Sequence, residues 1–348
     1  MLSAKDIESG KILIPQDCRR ISIEDYNSIF KNYNLKINDI LLTIVGTIGR
    51  VAMVDNLTNK YALQRSVAII RVNSLNHPLF IFYLLQTNNI KKQYYSKMNQ
   101  SAQGGIYLDS LNKLSFKNTI LSEQEKIAKF LSIVDKRIEK QRQLVESLKK
   151  YKRGYLKALI KKLNTTEFLL ENIVEEYQNK TILNMQYPIL SSTMNGIKLQ
   201  DDYFNKQAAS ENTIGYKIVP KGYFTYRSMS DTGVFRFNRQ MLVGNGIVSP
   251  AYPVFKVKSE EANPIFVEYM LNEDDKIKEQ LLTQKEGGTR YALSFSKFKS
   301  LKINLPDINI QEKIAIQITL LNTLVKKQEA YLHCLNKNKC GLLQQMFI

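Results

Sequence analysis

A long amphipathic segment occurs twice in this chain, and no other feature constrains the fold as strongly. The first copy spans residues 122–162. Its apolar residues Ile127, Leu131, Val134, Ile138, Val145, Leu148, Tyr155 and Leu159 fall at alternating steps of four and three. A single helix with such a stripe leaves it in water, so it needs a partner helix. The chain supplies that partner. The pentapeptide Gln-Glu-Lys-Ile-Ala at 124–128 returns at 311–315, an offset of 187 residues, and no gap is needed through the rest of the helix. At this offset the stripe becomes Ile314, Ile318, Leu321, Val325, Leu332, Leu335, Leu342 and Met346, and Gly154 becomes Gly341. The polar interruptions repeat as well: Gln141 becomes Gln328, and Lys152 becomes Lys339. The chain is therefore a tandem duplication. In an antiparallel pair with pseudo-twofold symmetry both glutamines fall near mid-helix. They are expected within about one helical turn of each other, where a polar seam residue lowers stability but fixes register.

The same order of segments precedes each helix. In the first half, residues 40–45 and 66–72 are β-rich runs, with a turn at residues 46–49. Residues 78–98 read as one helix with Phe80, Tyr83, Leu84 and Ile90 on its apolar face. A loop without periodicity follows at residues 100–105. Leu108, Leu111, Leu114 and Phe116 then lead into a short strand, and Ser122 caps the long helix with Glu125 completing a capping box. In the second half, Tyr223-Phe224-Thr225-Tyr226 answers Leu41-Leu42-Thr43-Ile44, and Val254-Phe255-Lys256-Val257 answers the strand around Ile69. The run from Phe266 to Leu271 answers Phe80 to Leu85, and residues 285–290 answer the loop at Gln103. Leu301, Ile303 and Leu305 align with Leu114, Phe116 and Asn118. The expected fold is mixed α/β: two similar globules separated by two long antiparallel coiled-coil helices. Their bounds read as 1–120, 121–163, 164–308 and 309–348.

Composition narrows the function. The 348 residues carry a net charge of +18, which favours a polyanionic partner, nucleic acid before an anionic membrane surface. No apolar run approaches the ~20 residues of a membrane span and no signal peptide is evident, so a cytoplasmic location is expected. Three cysteines without a Cys-x-x-Cys spacing and two distant histidines suggest neither a disulfide framework, a metal site nor a triad. Asn263-Pro264-Ile265-Phe266 lacks the second proline of a base-methyltransferase loop and reads as a helix start. Pro306-Asp307 with Glu312-Lys313 has the wrong spacing for a metal nuclease. Gly244-Asn245-Gly246 reads as a turn, not a nucleotide cradle.

Several segments then act together. The duplicated Leu-x-x-Leu-x-(Ile/Phe) and Gln-Glu-Lys-Ile-Ala stretch spans residues 111–138 and echoes at 298–325. Asn38-Asp39-Ile40-Leu41-Leu42-Thr43 is followed by Gly46 and Gly49. Gly246-Ile247-Val248-Ser249-Pro250-Ala251-Tyr252 lies in the second half. In this order, and twice over, they resemble the specificity subunits of type I restriction–modification systems across the whole chain. The resemblance implies two target-recognition domains, each reading half of a split double-stranded DNA site, held apart by the two helices. It also implies recruitment of two methyltransferase subunits and, through them, of restriction subunits. This chain would itself be non-catalytic and bind no cofactor, with S-adenosylmethionine, ATP and Mg on the partner subunits. A helix of about 40 residues is about 60 Å long, enough to set two readers a turn of DNA or more apart.

The chain departs from the family pattern at its start. Leu190-Ser191 aligns with Leu2-Ser3, so residues 165–189 have no counterpart in the first half. The first domain reads as N-terminally short, through a truncated or recombining locus or as a naturally shorter domain. The competing function is a scaffold subunit that binds partners without normal bipartite reading. A methyltransferase or nuclease acting alone is the enzyme alternative, and the missing motifs argue against it.

Sequence readout needs paired donors and acceptors on loops, and phosphate grip needs cations, hydroxyls and backbone amides. The candidates in the first half are Arg50, Gln64, Arg65, Gln100, Ser101, Gln103 and Gly104. Those in the second are Arg227, Arg236, Arg239, Gln240, Asn245, Gly288, Thr289, Arg290 and Tyr291. Residues 122–162 hold 13 Lys and Arg against 5 Asp and Glu. The dense group Lys149, Lys150, Lys152, Arg153 and Lys157 reads either as a grip on intervening DNA or as a solvated face.

Overall fold

The structure is a computed structural model that describes residues 1–14, 18–30, 34–57, 60–98, 104–200, 212–258, 260, 262–283 and 291–347. The chain divides into two compact units, residues 1–146 with 328–348, and residues 147–327. The first long helix (Leu121–Lys161) gives its N-terminal part to the first unit, and the second (Ile308–Met346) gives its C-terminal part to that same unit. The second unit holds the other part of each.

In the first unit a hairpin, β1 (Ile7–Glu8) with β2 (Lys11–Ile12), lies beside a sheet ordered β4 (Val51–Met53), β3 (Ile40–Thr43), β5 (Val67–Ile70). Every pairing in it is antiparallel. The four-residue run of β3 is buried throughout because alternate side chains serve two cores. Ile40 and Leu42 pack with Phe80, Tyr83, Leu84 and Leu131, and Leu41 packs with Leu2, Ile7 and Val67. The turn after β3 needs Gly46 and Gly49, both at positive φ (79° and 85°). Asp39, just ahead of β3, is buried and accepts two bonds from Arg71, at 2.8 and 2.7 Å.

The second unit repeats this sheet and enlarges it. Its strands are β6 (Thr166–Leu169), β7 (Val174–Glu176), β8 (Leu190–Thr193), β9 (Gly196–Leu199), β10 (Lys217–Pro220) and β11 (Phe224–Thr225). They continue with β12 (Met229–Ser230), β13 (Asn238–Arg239), β14 (Asn245–Val248), β15 (Val254–Val257), β16 (Tyr291–Ala292) and β17 (Lys302–Leu305). The main sheet is ordered β13-β11-β15-β7, and β11 stands where β3 does, with Phe224 paired to Phe255. Phe224, Tyr226, Phe237, Phe255 and Phe298 form an aromatic core, with ring centroids 4.9 to 5.4 Å apart in most pairs.

The glutamine of the duplicated pentapeptide ties each globule to its long helix. Gln124 is fully buried. Its Oε1 accepts from the His77 N–H (2.8 Å), which caps the helix Pro78–Leu84, and its Nε2 donates to Thr119 O (2.8 Å) and Asn118 Oδ1 (3.1 Å). Gln311 does the same: it accepts from the Asn263 N–H (3.0 Å) and donates to Pro306 O (2.9 Å). Asn263-Pro264 opens the helix Pro264–Glu273, as expected of this sequence.

The seam residues are buried or half-buried along both helices. Leu131, Ile138, Val145, Ile314, Ile318 and Leu335 are buried, and Ile127, Val134, Leu148, Leu321, Val325 and Leu332 are partly covered. In the first unit the helices run antiparallel, and the Gln141 amide donates to Gln328 Oε1 at 2.8 Å. The seam lysines have equivalent partners. Lys339 meets Asp135 at 2.6 Å in the first unit, and Lys152 meets Asn322 at 2.6 Å in the second.

Five local expectations are corrected. Tyr155 leaves the seam and Leu156 replaces it, whereas in the second helix Leu343 is buried beside Leu342, which stays packed on the first-unit core. Ten residues from Val145, at about 100° each, leave Tyr155 about 80° off the line, and eleven bring Leu156 to within about 20°. Residues 78–98 form two helices, Pro78–Leu84 and Asn88–Ser96, because Thr87 caps the second and accepts from the Ile90 N–H. The long helix begins at Leu121, so Ser122 lies inside it, and the buried Gln124 holds the preceding loop instead. No strand forms at residues 114–116. The counterpart β17 is a strand because β6 pairs with it, and among the described residues nothing pairs with the first-unit segment. Asn245 and Gly246 are not a turn but open β14, opposite Pro220 and Val219. Glycine is required at 246 because a Cβ there would sit 2.3 Å from Leu190 Cδ1.

Candidate nucleic-acid interface

The first-unit candidates converge on one end of β3. The Ile44 N–H donates to Ser66 O (2.9 Å), the Thr43 N–H donates to Arg50 O (2.9 Å), and the Ile106 N–H donates to Ile44 O (2.8 Å). Val45 also bridges to Gly105. Three loops that are distant in sequence therefore meet, bringing together Arg50, Gln64, Arg65 and Gly104. Arg65 is exposed, while Arg50, Gln64 and Gly104 are half-buried. Among the described residues neither arginine has an acidic partner, so both guanidinium groups are available to an anion. Gln100, Ser101 and Gln103 lie outside the described residues.

The second unit makes the same junction. After β11, Tyr226 is buried and its hydroxyl donates to Leu293 O (3.3 Å). The Leu293 N–H donates to Ser228 O (2.8 Å), and β12 pairs with β16, setting Ser230 opposite Tyr291. Tyr291 is half-buried against Gly233, whose φ of 77° and close approach to the ring exclude a side chain there. Beside this junction opens a cleft of about 490 Å³ lined by Arg227, Arg236, Thr193, Asn195, Asp231 and Thr232 among others. Arg227 is exposed, and Arg236 is held by Glu273 at 3.2 Å.

The remaining candidates separate. Arg239 is bound by Glu268 at 3.3 Å; burial pushes the Glu268 carboxyl up, and Arg239 opposes that shift. Asn245 is exposed at the start of β14. Gln240 is withdrawn from the interface because it is fully buried and spends its amide inside the fold. Its Nε2 donates to Val243 O (2.6 Å) and Val219 O (3.3 Å), and its Oε1 accepts from the Leu242 N–H (2.6 Å). Gly288, Thr289 and Arg290 lie outside the described residues. Of the lysines on the first long helix, Lys157 pairs with Asp275 at 2.5 Å and Lys152 with Asn322, so these two serve packing within the second unit.

The sequence reading missed one wall of the cleft, the hairpin β8–β9. Asn238 is buried and donates to Ser192 Oγ (2.9 Å) and Thr193 O (2.8 Å), fixing that hairpin against β13. The run Ser191-Ser192-Thr193-Met194-Asn195 was the available signal. The cleft thus joins cations, hydroxyls, amides and one carboxylate, the mixture that contacts phosphates and base edges. Among the described residues no group of three or more His, Cys, Asp or Glu is placed to hold a metal ion.

Known proteins resemble this chain over most of its length. The family described as "Type I restriction modification DNA specificity domain" matches twice, over residues 3–150 and 160–330. A solved structure titled for the complex assembly and conformational transition of the type I R-M system is similar over 99% of this chain and 89% of its own, with 14% identity and a TM-score of 0.57. The S subunit of a type I restriction–modification system from M. genitalium is similar over 100% of this chain and 92% of its own, with 17% identity and a TM-score of 0.55. At these identities the two structures establish the fold.

Proposed function

The chain belongs to the type I restriction–modification DNA specificity family, and from that premise we propose that it is a specificity subunit reading a bipartite site in duplex DNA, one half per globule. The observation that carries this reading is the repeated junction. In both units the loop leaving the central strand, β3 or β11, meets a distant loop, and an exposed arginine stands at that junction, Arg65 on the loop before β5 in one and Arg227 just after β11 in the other, neither with an acidic partner among the described residues. Two such junctions in one chain, on globules tied to long helices by the same glutamine, suit two half-sites at a constant separation. The net charge of +18 supplies the sequence-independent attraction to the duplex.

The subunit recruits two methyltransferase subunits and, through them, restriction subunits. Support comes from a second apolar set on the long helices, away from the seam. Ile133 and Leu320 are exposed, as are Leu144 and Tyr331, and each pair stands at the 187-residue offset. Equivalent exposed patches suit two copies of one partner. The chain is non-catalytic in this reading, and S-adenosylmethionine, ATP and Mg act on the partner subunits. Among the described residues no helix is long and apolar enough to cross a membrane.

The test is to purify the chain with its methyltransferase subunit and map methylated positions across a genome. A split motif with a constant gap supports the reading. A stable complex that methylates nothing, or methylates without sequence preference, overturns it.

A further inference from the structure

Three exposed apolar side chains line the cleft of the second unit, and a grip on phosphates does not account for them. Met194, Met229 and Val234 are 57%, 47% and 52% exposed. Single apolar side chains on a surface are ordinary. Here three, from two segments far apart in sequence, share one cleft with arginine and a carboxylate, and such a grouping marks a binding surface.

Each of the three is braced by its own surroundings. Met194 and Asn195 form the two-residue tip of the hairpin β8–β9, between the paired Thr193 and Gly196. The Thr193 hydroxyl accepts from the Asn195 N–H (3.1 Å) and donates to Gly196 O (2.8 Å), so it is spent on the turn. The buried Asn238 amide fixes the same hairpin to β13. Met229 lies in β12, paired with Ala292 of β16. Val234 follows Gly233, which is seated against the Tyr291 ring, and precedes the buried Phe235. The apolar groups therefore stand on held elements, as a reading surface requires.

The polar groups of the cleft identify the surface of DNA that suits it. Arg227 and Asp231 are both exposed there. In the minor groove an A·T pair shows acceptors only, which a carboxylate repels. The major groove offers acceptors on guanine for an arginine and amino donors on cytosine and adenine for a carboxylate. It also offers the 5-methyl group of thymine, the one apolar group on a base edge. A cleft that joins a cation, a carboxylate and three apolar side chains matches the major-groove edge in all three respects.

We propose that this cleft reads thymine from the major groove, with Met194, Met229 and Val234 enclosing its 5-methyl group. The proposal rests on the reading of the chain as a DNA-specificity subunit and names one base that its second globule distinguishes. Phosphates call for cations and amides, and gain nothing from three apolar side chains. Apolar wedges also enter the minor groove and unstack bases, but the carboxylate of Asp231, two residues from Met229, opposes that approach.

The test uses the full chain in complex with its methyltransferase subunit and fluorescent duplexes carrying the mapped split site, followed by anisotropy. Thymines of each half-site are replaced singly by deoxyuridine, which removes the methyl group and keeps the pairing edge. The expected result is a loss of affinity of about fourfold at one or more positions of one half-site, the worth of one buried methyl group. The change is made in the DNA, so this comparison does not depend on how a variant folds. The double variant Met194→Ala/Met229→Ala should bind the thymine and uracil duplexes equally. Met241→Ala removes a methionine that is 48% exposed but outside the cleft, and it should keep the difference. Site-specific binding with thymine and uracil duplexes held alike by the native chain overturns the proposal and leaves the proposed function standing. A difference that persists in the double variant also overturns it. A complex with no site preference overturns both.

Discussion

Replacing Gln124 with alanine tests what the duplicated pentapeptide does. The side chain is fully buried at the start of the long helix and makes bonds of 2.8 Å from the His77 N–H, 2.8 Å to Thr119 O and 3.1 Å to Asn118 Oδ1. At a net contribution of about 1 kcal/mol each, their loss costs about 3 kcal/mol, and the cavity left by truncation adds to it. The variant Gln311→Ala loses two bonds, at 3.0 and 2.9 Å, and strands the buried carbonyl of Pro306, so its cost is also about 3 kcal/mol. With a factor of ten for every 1.4 kcal/mol, local opening should rise on the order of a hundredfold. Hydrogen exchange reads this directly: Gln124→Ala should accelerate exchange in the helix Pro78–Leu84, and Gln311→Ala in the helix Pro264–Glu273. Gln124→Met keeps the volume and deletes the bonds, so it should retain most of the effect. Acceleration below about threefold in both alanine variants would refute the view that these glutamines clip globule to helix.

Three further outcomes are expected. Gly246→Ala drives a Cβ to 2.3 Å from Leu190 Cδ1 and 2.6 Å from its Cγ, so it should cost about 1–3 kcal/mol in urea unfolding, and Leu190→Ala should relieve the clash in the double variant. Replacing Gln141 and Gln328 together by leucine should raise the unfolding free energy by about 1–2 kcal/mol; a lower urea midpoint would contradict their role as a specificity device. The Glu139 carboxyl is held below the usual carboxylate range, first by its hydrogen bond from Lys11. Because its folded value is lowered, its contribution is fully present above the ordinary glutamate range and is lost as pH falls through the lowered value. Glu139→Gln should therefore flatten the acid side of the stability profile, measured as urea midpoint against pH, and an unchanged profile would contradict the pairing.

The second-unit cleft shows how a site can be only partly legible. Arg227 and Arg236 stood out by residue type, and the cleft holds both. Gln240 stood out by the same criterion and is buried, because a residue name does not say whether an amide faces solvent or completes a turn. The hairpin β8–β9 lies far from Arg227 in sequence and reaches the cleft only through the Asn238 bonds to Ser192 and Thr193. In the first unit Arg50, Arg65 and Gly104 meet only because three loops hydrogen-bond around the end of β3.

What the sequence determined by itself is the part governed by periodicity and repetition: two long helices, their apolar seam, the equivalence of Gln141 with Gln328, and two globules built in the same order. Local stereochemistry and side-chain spacing suffice for those, because a helical stripe must be buried wherever the chain goes. The tertiary structure decided what depends on pairing across distance. It moved the seam from Tyr155 to Leu156 as the helical repeat accumulated, and it made β17 a strand while leaving its counterpart at Phe116 unpaired. A strand is not a property of its own residues. It exists where another backbone supplies the other half of its hydrogen bonds, and in this chain only the second unit has that partner among the described residues.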